Sequence, residues 1–167
     1  MNEIPENFMW EQDVTSVHGG QARSFRAVIQ KTAGELDVLV LTPFGTRAFL
    51  IHQSGTEMRF TAFIQEEVAV SPEAILLDIH RAFFLALPNA TADGAHGGEL
   101  NGHHVSELWR GGRLTRRSFA CPSGASGNIA IQYSPAMLFP DPPKTVELVN
   151  SCVGYQLRIT TVQATKL

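Results

Sequence analysis

Hydrophobic positions recur with a period of two through most of the chain, which predicts strands that each bury one face. Over residues 24–31, Phe25, Ala27 and Ile29 share a face against Arg26, Val28 and Gln30. Residues 35–41 group Leu36, Val38 and Val40, with Asp37 on the other side. Residues 46–52 align Arg47, Phe49 and Ile51; residues 57–63 turn Met58 and Phe60 away from Glu57 and Arg59. The connections are short and contain glycine: Ala33-Gly34, Thr42-Pro43-Phe44-Gly45 and Ser54-Gly55. Short strands joined this way predict an antiparallel meander. Upstream, residues 1–18 are polar with interspersed Phe8, Met9 and Trp10, and predict a lead-in arm or a short helix that ends at Gly19-Gly20.

The period changes at residue 71. Ser71 suits an N-cap, Pro72 the first helical position and Glu73 the positive end of the helix dipole. Ile75, Leu76, Ile79, Phe83 and Leu87 form a helical stripe, which predicts a helix over 71–87 that stops at Pro88-Asn89. Leu77, Phe84 and Leu85 widen the stripe, and only Asp78, His80 and Arg81 interrupt it. A helix this apolar needs cover on most sides, from protein or from ligand. Residues 89–102 carry four glycines and predict a loop. A second strand series follows. Residues 103–110 and 113–121 flank the hairpin signal Gly111-Gly112, and residues 128–134 form a short strand. Residues 135–143 are proline-rich and carry Met137, Leu138 and Phe139. Residues 145–150 and 154–162 close the chain as a hairpin with Val146, Leu148, Tyr155, Leu157 and Ile159 inward. Strands, one helix, then strands make an α+β domain with an antiparallel sheet.

A chain of 167 residues is expected to form one domain, 1–167, with enough core to fold without staples. A net charge of −3 argues against nucleic acid as partner. No apolar run approaches the ~18 residues of a membrane span; the longest is Ala82–Leu87. Glu3, Glu6, Glu11 and Asp13 leave no apolar stretch for a signal peptide, so the expectation is a cytosolic protein or one whose targeting segment has been removed. Cys121 and Cys152 form no CxxC; the simpler expectation is two small buried hydrophobes, and the alternative is one cross-strand disulfide in an oxidising compartment. His96, Glu99, His103 and His104 crowd one stretch, but their spacing fits no standard zinc pair. With no nucleophile elbow, phosphate loop or dinucleotide fingerprint, neither catalysis nor a cofactor is expected. An enzyme using Cys121 or the histidines is the weaker alternative. Arginines outnumber lysines ten to three, and Arg110, Arg113, Arg116 and Arg117 gather around Gly111-Gly112. They predict a solvated rim, or a docking patch for anionic headgroups or an acidic partner.

The turn Thr42-Pro43-Phe44-Gly45 puts a phenylalanine where water is expected. Either Phe44 folds back onto the core, or it protrudes to touch a membrane or a protein. The segment Val40-Leu41-Thr42-Pro43-Phe44-Gly45-Thr46 resembles the strand and turn of the outer-membrane lipoprotein receptor LolB, in which an Asn-Pro-Leu-Gly turn presents a protruding leucine. Trp10 and Asp13 before the first strand, Leu87-Pro88 after the helix, and the closing segments 146–150 and 154–159 fall in the same order. Arg47 and Phe49 after the turn, with the closing hairpin, are most similar to the LolB-like bacterial lipoproteins grouped as DUF3261, some of whose genes are associated with aryl-polyene-type lipid biosynthesis.

The resemblance implies a curved antiparallel sheet forming an unclosed half β-barrel, LolA/LolB-like, with one main apolar helix over its concave face. It implies non-enzymatic binding and transfer of acylated cargo, a lipoprotein or a lipid, at the periplasmic face of the outer membrane. A LolA-like periplasmic carrier and the inner leaflet of that membrane are the partners it implies. An accessory role in a lipid- or polyene-synthesising complex is the alternative. Phe25, Val38, Val40, Phe49, Ile51, Phe60, Tyr155 and Leu157 are expected to line the cavity from the sheet. Ile75, Leu76, Ile79, Phe83 and Leu87 are expected to close it, with Phe44, Arg110, Arg113, Arg116 and Arg117 touching membrane or partner. The sequence departs from the pattern in lacking a lipobox cysteine near its start and a clear second lid helix.

Overall fold

The computed structural model describes residues 7–65, 68, 70–88, 92–138 and 141–167. Eleven strands form one antiparallel sheet. They are β1 (Phe8–His18), β2 (Gln21–Thr32), β3 (Glu35–Leu41), β4 (Arg47–Ser54), β5 (Glu57–Ala62), β6 (Gly94–Leu100), β7 (His103–Arg110), β8 (Arg113–Ala120), β9 (Asn128–Met137), β10 (Thr145–Asn150) and β11 (Tyr155–Lys166). Their order across the sheet is β5-β4-β3-β2-β1-β11-β10-β9-β8-β7-β6. The first and last strands therefore pair at the centre, and the two meanders spread to either side. β5 and β6 are the edges, and the chain between them carries the helix.

Two strands stand where none was predicted. Residues 8–18 are neither arm nor helix but a central strand, paired on one side with β2 and on the other with β11. Phe8, Trp10, Gln12 and Val14 point inward and are buried. The period of two was present, but polar Gln12 on the inner row obscured it. Residues 94–100, expected as loop, form the edge strand β6 on β7. An edge strand needs no buried row of its own. Glycine also allows a close approach at one point: a Cβ on Gly98 would stand 2.8 Å from the end of the Leu87 side chain, which would have to shift.

The helix is shorter than predicted. α1 (Pro72–Ile79) is capped by the Ser71 hydroxyl, which accepts from the Ala74 amide at 3.2 Å. It continues as a π-helical turn over His80–Phe84, closed by the Leu85 amide donating to the His80 carbonyl at 2.8 Å, after which the chain is extended. The Leu87 amide is thus outside the helix and donates to Glu107 at 3.4 Å. The predicted stop at Asn89, and Phe139 of the proline-rich segment, lie outside the described residues.

The polar interruptions of the helix face inward, not outward. Asp78 and Arg81 are buried, while Leu77 is half exposed. Asp78 binds Arg81 at 2.8 Å and accepts from Asn150 Nδ2 at 3.0 Å and from the Tyr155 hydroxyl. One turn on, the Ala82 carbonyl accepts from the Tyr133 hydroxyl at 2.7 Å, and the Arg81 carbonyl accepts from Arg117 Nη1 at 2.8 Å. These bonds fasten the helix to β8–β11. Trp10 and Phe83 meet edge to face at 5.7 Å, which adds β1 to the anchor.

Arg117 does not belong to a surface cluster. It is opposite Glu107 in the β7–β8 register, and the two form an ion pair at 2.8 Å with both side chains 0% exposed. Glu107 also accepts from the Trp109 indole at 2.9 Å. Arg117 shares the inner face with Phe119, and Glu107 shares it with Val105 and Trp109. Arg110, Arg113 and Arg116 are exposed as expected of a rim. The cysteines also differ from the simpler expectation: Cys121 and Cys152 are joined in a disulfide that ties the end of β8 to the β10–β11 turn. Asn150 Oδ1 holds that same turn through the amides of Cys152 and Val153.

Two outcomes follow. Removing one partner of a buried ion pair strands the other charge, so Arg117→Met should cost roughly 3–5 kcal/mol in urea unfolding, whereas Arg116→Ala should stay within about 0.5 kcal/mol. Burial pushes the Tyr133 phenol up to about 12, and burial together with the Asp78 carboxylate raises Tyr155 further above its ordinary value. These are the chain's two tyrosines. Phenolate absorbance of the native protein should therefore stay flat through about pH 10–11. The unfolded chain gives up these protons first, so stability should fall as pH rises from about 10 towards 12.

Candidate functional site

Both halves of the inner face bury large side chains, among them Phe8, Trp10, Phe49 and Ile51 on β1–β4, but short ones gather on one side. On β7–β9 the inward positions hold Trp109, Phe119, Arg117, Tyr133 and Met137, which together with the π-helical turn fill the space beneath them. On β1–β4 the inward positions include Val14, Ala27, Val38, Val40 and Ala48, which are short. The helix is fastened to β8–β11, touches β1 through Trp10, and reaches β4 where His80 Nε2 lies 2.8 Å from Gln53 Oε1. Between it and the short side chains lies a cavity of about 250 Å³.

Its floor is the inner row of β1–β4, α1 contributes Ile75, Asp78 and Ile79, and the π-helical turn contributes Phe83. Leu148 of β10 and Tyr155, Leu157 and Ile159 of β11 form the wall toward the filled half. Ile64, Val68 and Val70, from the chain entering the helix, complete it. The lining is apolar except at a few points, the usual character of a small-molecule pocket. Gln12 is buried in the floor with its amide near the Thr161 hydroxyl at 3.4 Å. Asp78 and Tyr155 are bonded to each other, so neither is an open polar group. At the foot of the helix, burial lowers the His80 imidazole below its usual value; its Nε2 lies 2.8 Å from Gln53 Oε1.

Of the residues predicted from sequence, Phe25, Val38, Val40, Phe49, Ile75, Ile79, Phe83, Tyr155 and Leu157 meet at this cavity. Ile51, Leu76 and Leu87 are buried but are core, not wall. Phe60 lies on the edge strand β5, is tilted against Phe49 at a ring distance of 5.5 Å and is 38% exposed. Sequence reasoning missed Ala27 and Ala48, whose smallness makes the space, and Asp78 and Asn150, which hold the roof. A signal for Asp78 did exist: an acidic and a basic residue three apart, inside an otherwise apolar helix, are spaced to pair, and a helix apolar on most sides forces that pair inward.

The cavity opens toward the strand ends that carry the β3–β4 turn. Leu41, Thr42 and Pro43 line it there, with Ser16, Arg23 and Ser24. The next residue, Phe44, is 94% exposed. It does not fold back because the turn is closed beneath it. The Gly45 amide donates to the Thr42 carbonyl at 2.9 Å, the Thr42 amide to the Thr46 carbonyl at 2.8 Å, and the Thr46 amide to the Thr42 hydroxyl at 3.2 Å. Gly45, at φ 80°, takes the left-handed position that the turn requires. Phe63 and Val68, both partly exposed, sit at the same end, and Arg47 lies over the Phe63 ring at 5.0 Å. The strand directions put Gly111-Gly112, with Arg110 and Arg113, at the opposite end of the sheet. Phe44 and the arginines therefore do not form one contact surface, contrary to the expectation.

The alternative chemistry has little to build on. The Cys121 sulfur is taken up by the disulfide. His104 pairs loosely with Glu99 at 3.6 Å, both exposed on the β6–β7 edge. Among the described residues, no three His, Cys, Asp or Glu side chains gather as a metal site, and no helix is long and apolar enough to cross a membrane.

The fold is LolA-like. A LolA superfamily protein from Nitrosomonas europaea superimposes with a TM-score of 0.56 at 12% identity, over 99% of this chain and 90% of that one. A domain from Vibrio parahaemolyticus described as an outer-membrane lipoprotein-sorting protein gives a TM-score of 0.47 at 10% identity, over 96% and 85%. No curated protein matches the sequence. Residues 9–163 match the family described as protein of unknown function (DUF3261), and with nearly the whole sheet inside that match the chain belongs to this family.

Proposed function

We propose that this protein binds the acyl chain of a lipid or lipoprotein in the cavity between β1–β4 and α1, and hands it on at the bacterial cell envelope without covalent chemistry. The observation that carries the reading is an apolar cavity that opens beside an exposed phenylalanine fixed on a closed turn. The helix acts as the cover of the cavity. Each methylene moved from water into such a site contributes about 0.8 kcal/mol, so a chain is held by length alone. Phe44 is the group that enters the membrane or the donor: burying a phenylalanine side chain gains roughly 1.5–3 kcal/mol, and at 94% exposure none of that is used within the fold. The disulfide agrees with an oxidising compartment, which in this reading is the periplasm, at the inner leaflet of the outer membrane. A LolA-like carrier is the donor that the resemblance suggests.

The test separates uptake from delivery. A fluorescent fatty acid is loaded into the protein, and its transfer to phosphatidylethanolamine/phosphatidylglycerol vesicles is followed by stopped flow. Phe44→Ser should leave loading unchanged and slow transfer about ten-fold or more, the equivalent of losing one buried phenylalanine. Ala27→Phe, which fills the floor, should cut loading while Phe44 remains in place. Unchanged transfer by the Phe44 variant would remove its delivery role, and unchanged loading after filling would remove the cavity.

A further inference from the structure

The inner row of β2 changes character at the mouth. Reading outward from the core it runs Ile29, Ala27, Phe25, then Arg23. Arg23 lines the cavity at its open end, next to Ser16, its register partner on β1. The other charges within the fold are matched: Asp78 with Arg81, and Glu107 with Arg117. On the outer face of the same strand, Arg26 has Asp13 at 2.9 Å. Among the described residues no carboxylate pairs with Arg23. The cavity, apolar over most of its lining, thus ends at its mouth in the exposed guanidinium of Arg23, which has no carboxylate partner and stands opposite Ser16 on β1.

We propose that the occupant is a single-chain anionic amphiphile whose carboxylate or phosphate head is bound at the mouth by Arg23. This rests on the cavity being an acyl site and names the class of cargo. Two features support it. The guanidinium fork matches the geometry of a carboxylate or phosphate, and the Ser16 hydroxyl opposite it can supply a further hydrogen bond. The volume of about 250 Å³ falls at or below the small end of ligand pockets, roughly 300–1,000 Å³, which suits one chain better than several. The head stays at the rim, so the cost of removing a charge from water is avoided.

The test uses the full chain and calorimetric titration, below micellar concentration, with palmitate, palmitoyl lysophosphatidate and neutral monopalmitoylglycerol. Both anions should bind more tightly than the neutral lipid. R23Q should weaken the anions about five-fold or more and leave the neutral lipid unchanged; R26Q, on the outer face, should change none of them. Added salt should narrow the gap between anionic and neutral ligands in the wild type only. Tighter palmitate points to a free fatty acid, and tighter lysophosphatidate to a phospholipid headgroup. If all three ligands bind alike and R23Q changes nothing, the head-group assignment is wrong while the acyl site stands. If none binds the wild type, the acyl site and this inference fall together.

Discussion

The structure depends on a carboxylate buried under the helix. Asp78 holds Arg81 on its own element, and Asn150 and Tyr155 on the sheet. A buried charge without partners is costly, so this site is stable only with the helix seated against β10 and β11. The helix cannot slide towards β1–β4 to fill the space there without stranding Asp78. The neighbouring bonds act in the same direction, since the Ala82 and Arg81 carbonyls are held by Tyr133 and Arg117. Most of the polar bonds that hold the helix lie on the β8–β11 side, with His80 and Gln53 reaching β4, and the cavity lies between the helix and the short side chains of β1–β4.

Seen this way, the disulfide and the buried ion pair serve the same arrangement from a distance. Cys152 lies in the turn that Asn150 organises, and its bond to Cys121 ties that turn to the end of β8. Asn150 presents its amide nitrogen to Asp78 while its oxygen is occupied by the turn. Glu107 and Arg117 link β7 and β8 to the chain after the π-helical turn, through the Leu87 amide, and to the turn itself, through the Arg81 carbonyl. The filled half of the sheet is thus the frame for the helix, and the cavity lies over the half made of β1–β4. At its mouth, the closed β3–β4 turn keeps Phe44 out of the core and beside the opening.

Much of this was legible from residue order. The period of two in residues 24–63 placed β2–β5 to within three residues and the inward rows of β2 and β3, because a meander with one wet face writes its pattern plainly, while the irregular register beside Arg47 turned that residue outward and Ala48 inward. Six strand residues expected at the cavity meet there because face follows parity, and Ile75, Ile79 and Phe83 because face follows the helical repeat. Depth follows from neither: Ile51 has the right face but lies where neighbours close over it, and Leu87 lies beyond the helix. The polar core was hidden for a different reason. Arg117 lies beside Arg116 and near Gly111-Gly112, and in one dimension it joins the exposed arginines. Only pairing β7 with β8 brings Glu107 opposite it. Strand β1 was obscured by buried Gln12, and β6 by glycines that an edge strand tolerates.

The central claim is that the space between β1–β4 and the helix is a binding site and not an incidental packing gap. Native mass spectrometry of the protein purified without detergent, with lipid analysis of whatever dissociates, tests it most directly. The account predicts a retained single-chain acyl lipid, or a stoichiometric mass increase when the stripped protein is incubated with palmitate. A clean apo mass that palmitate does not change would contradict it.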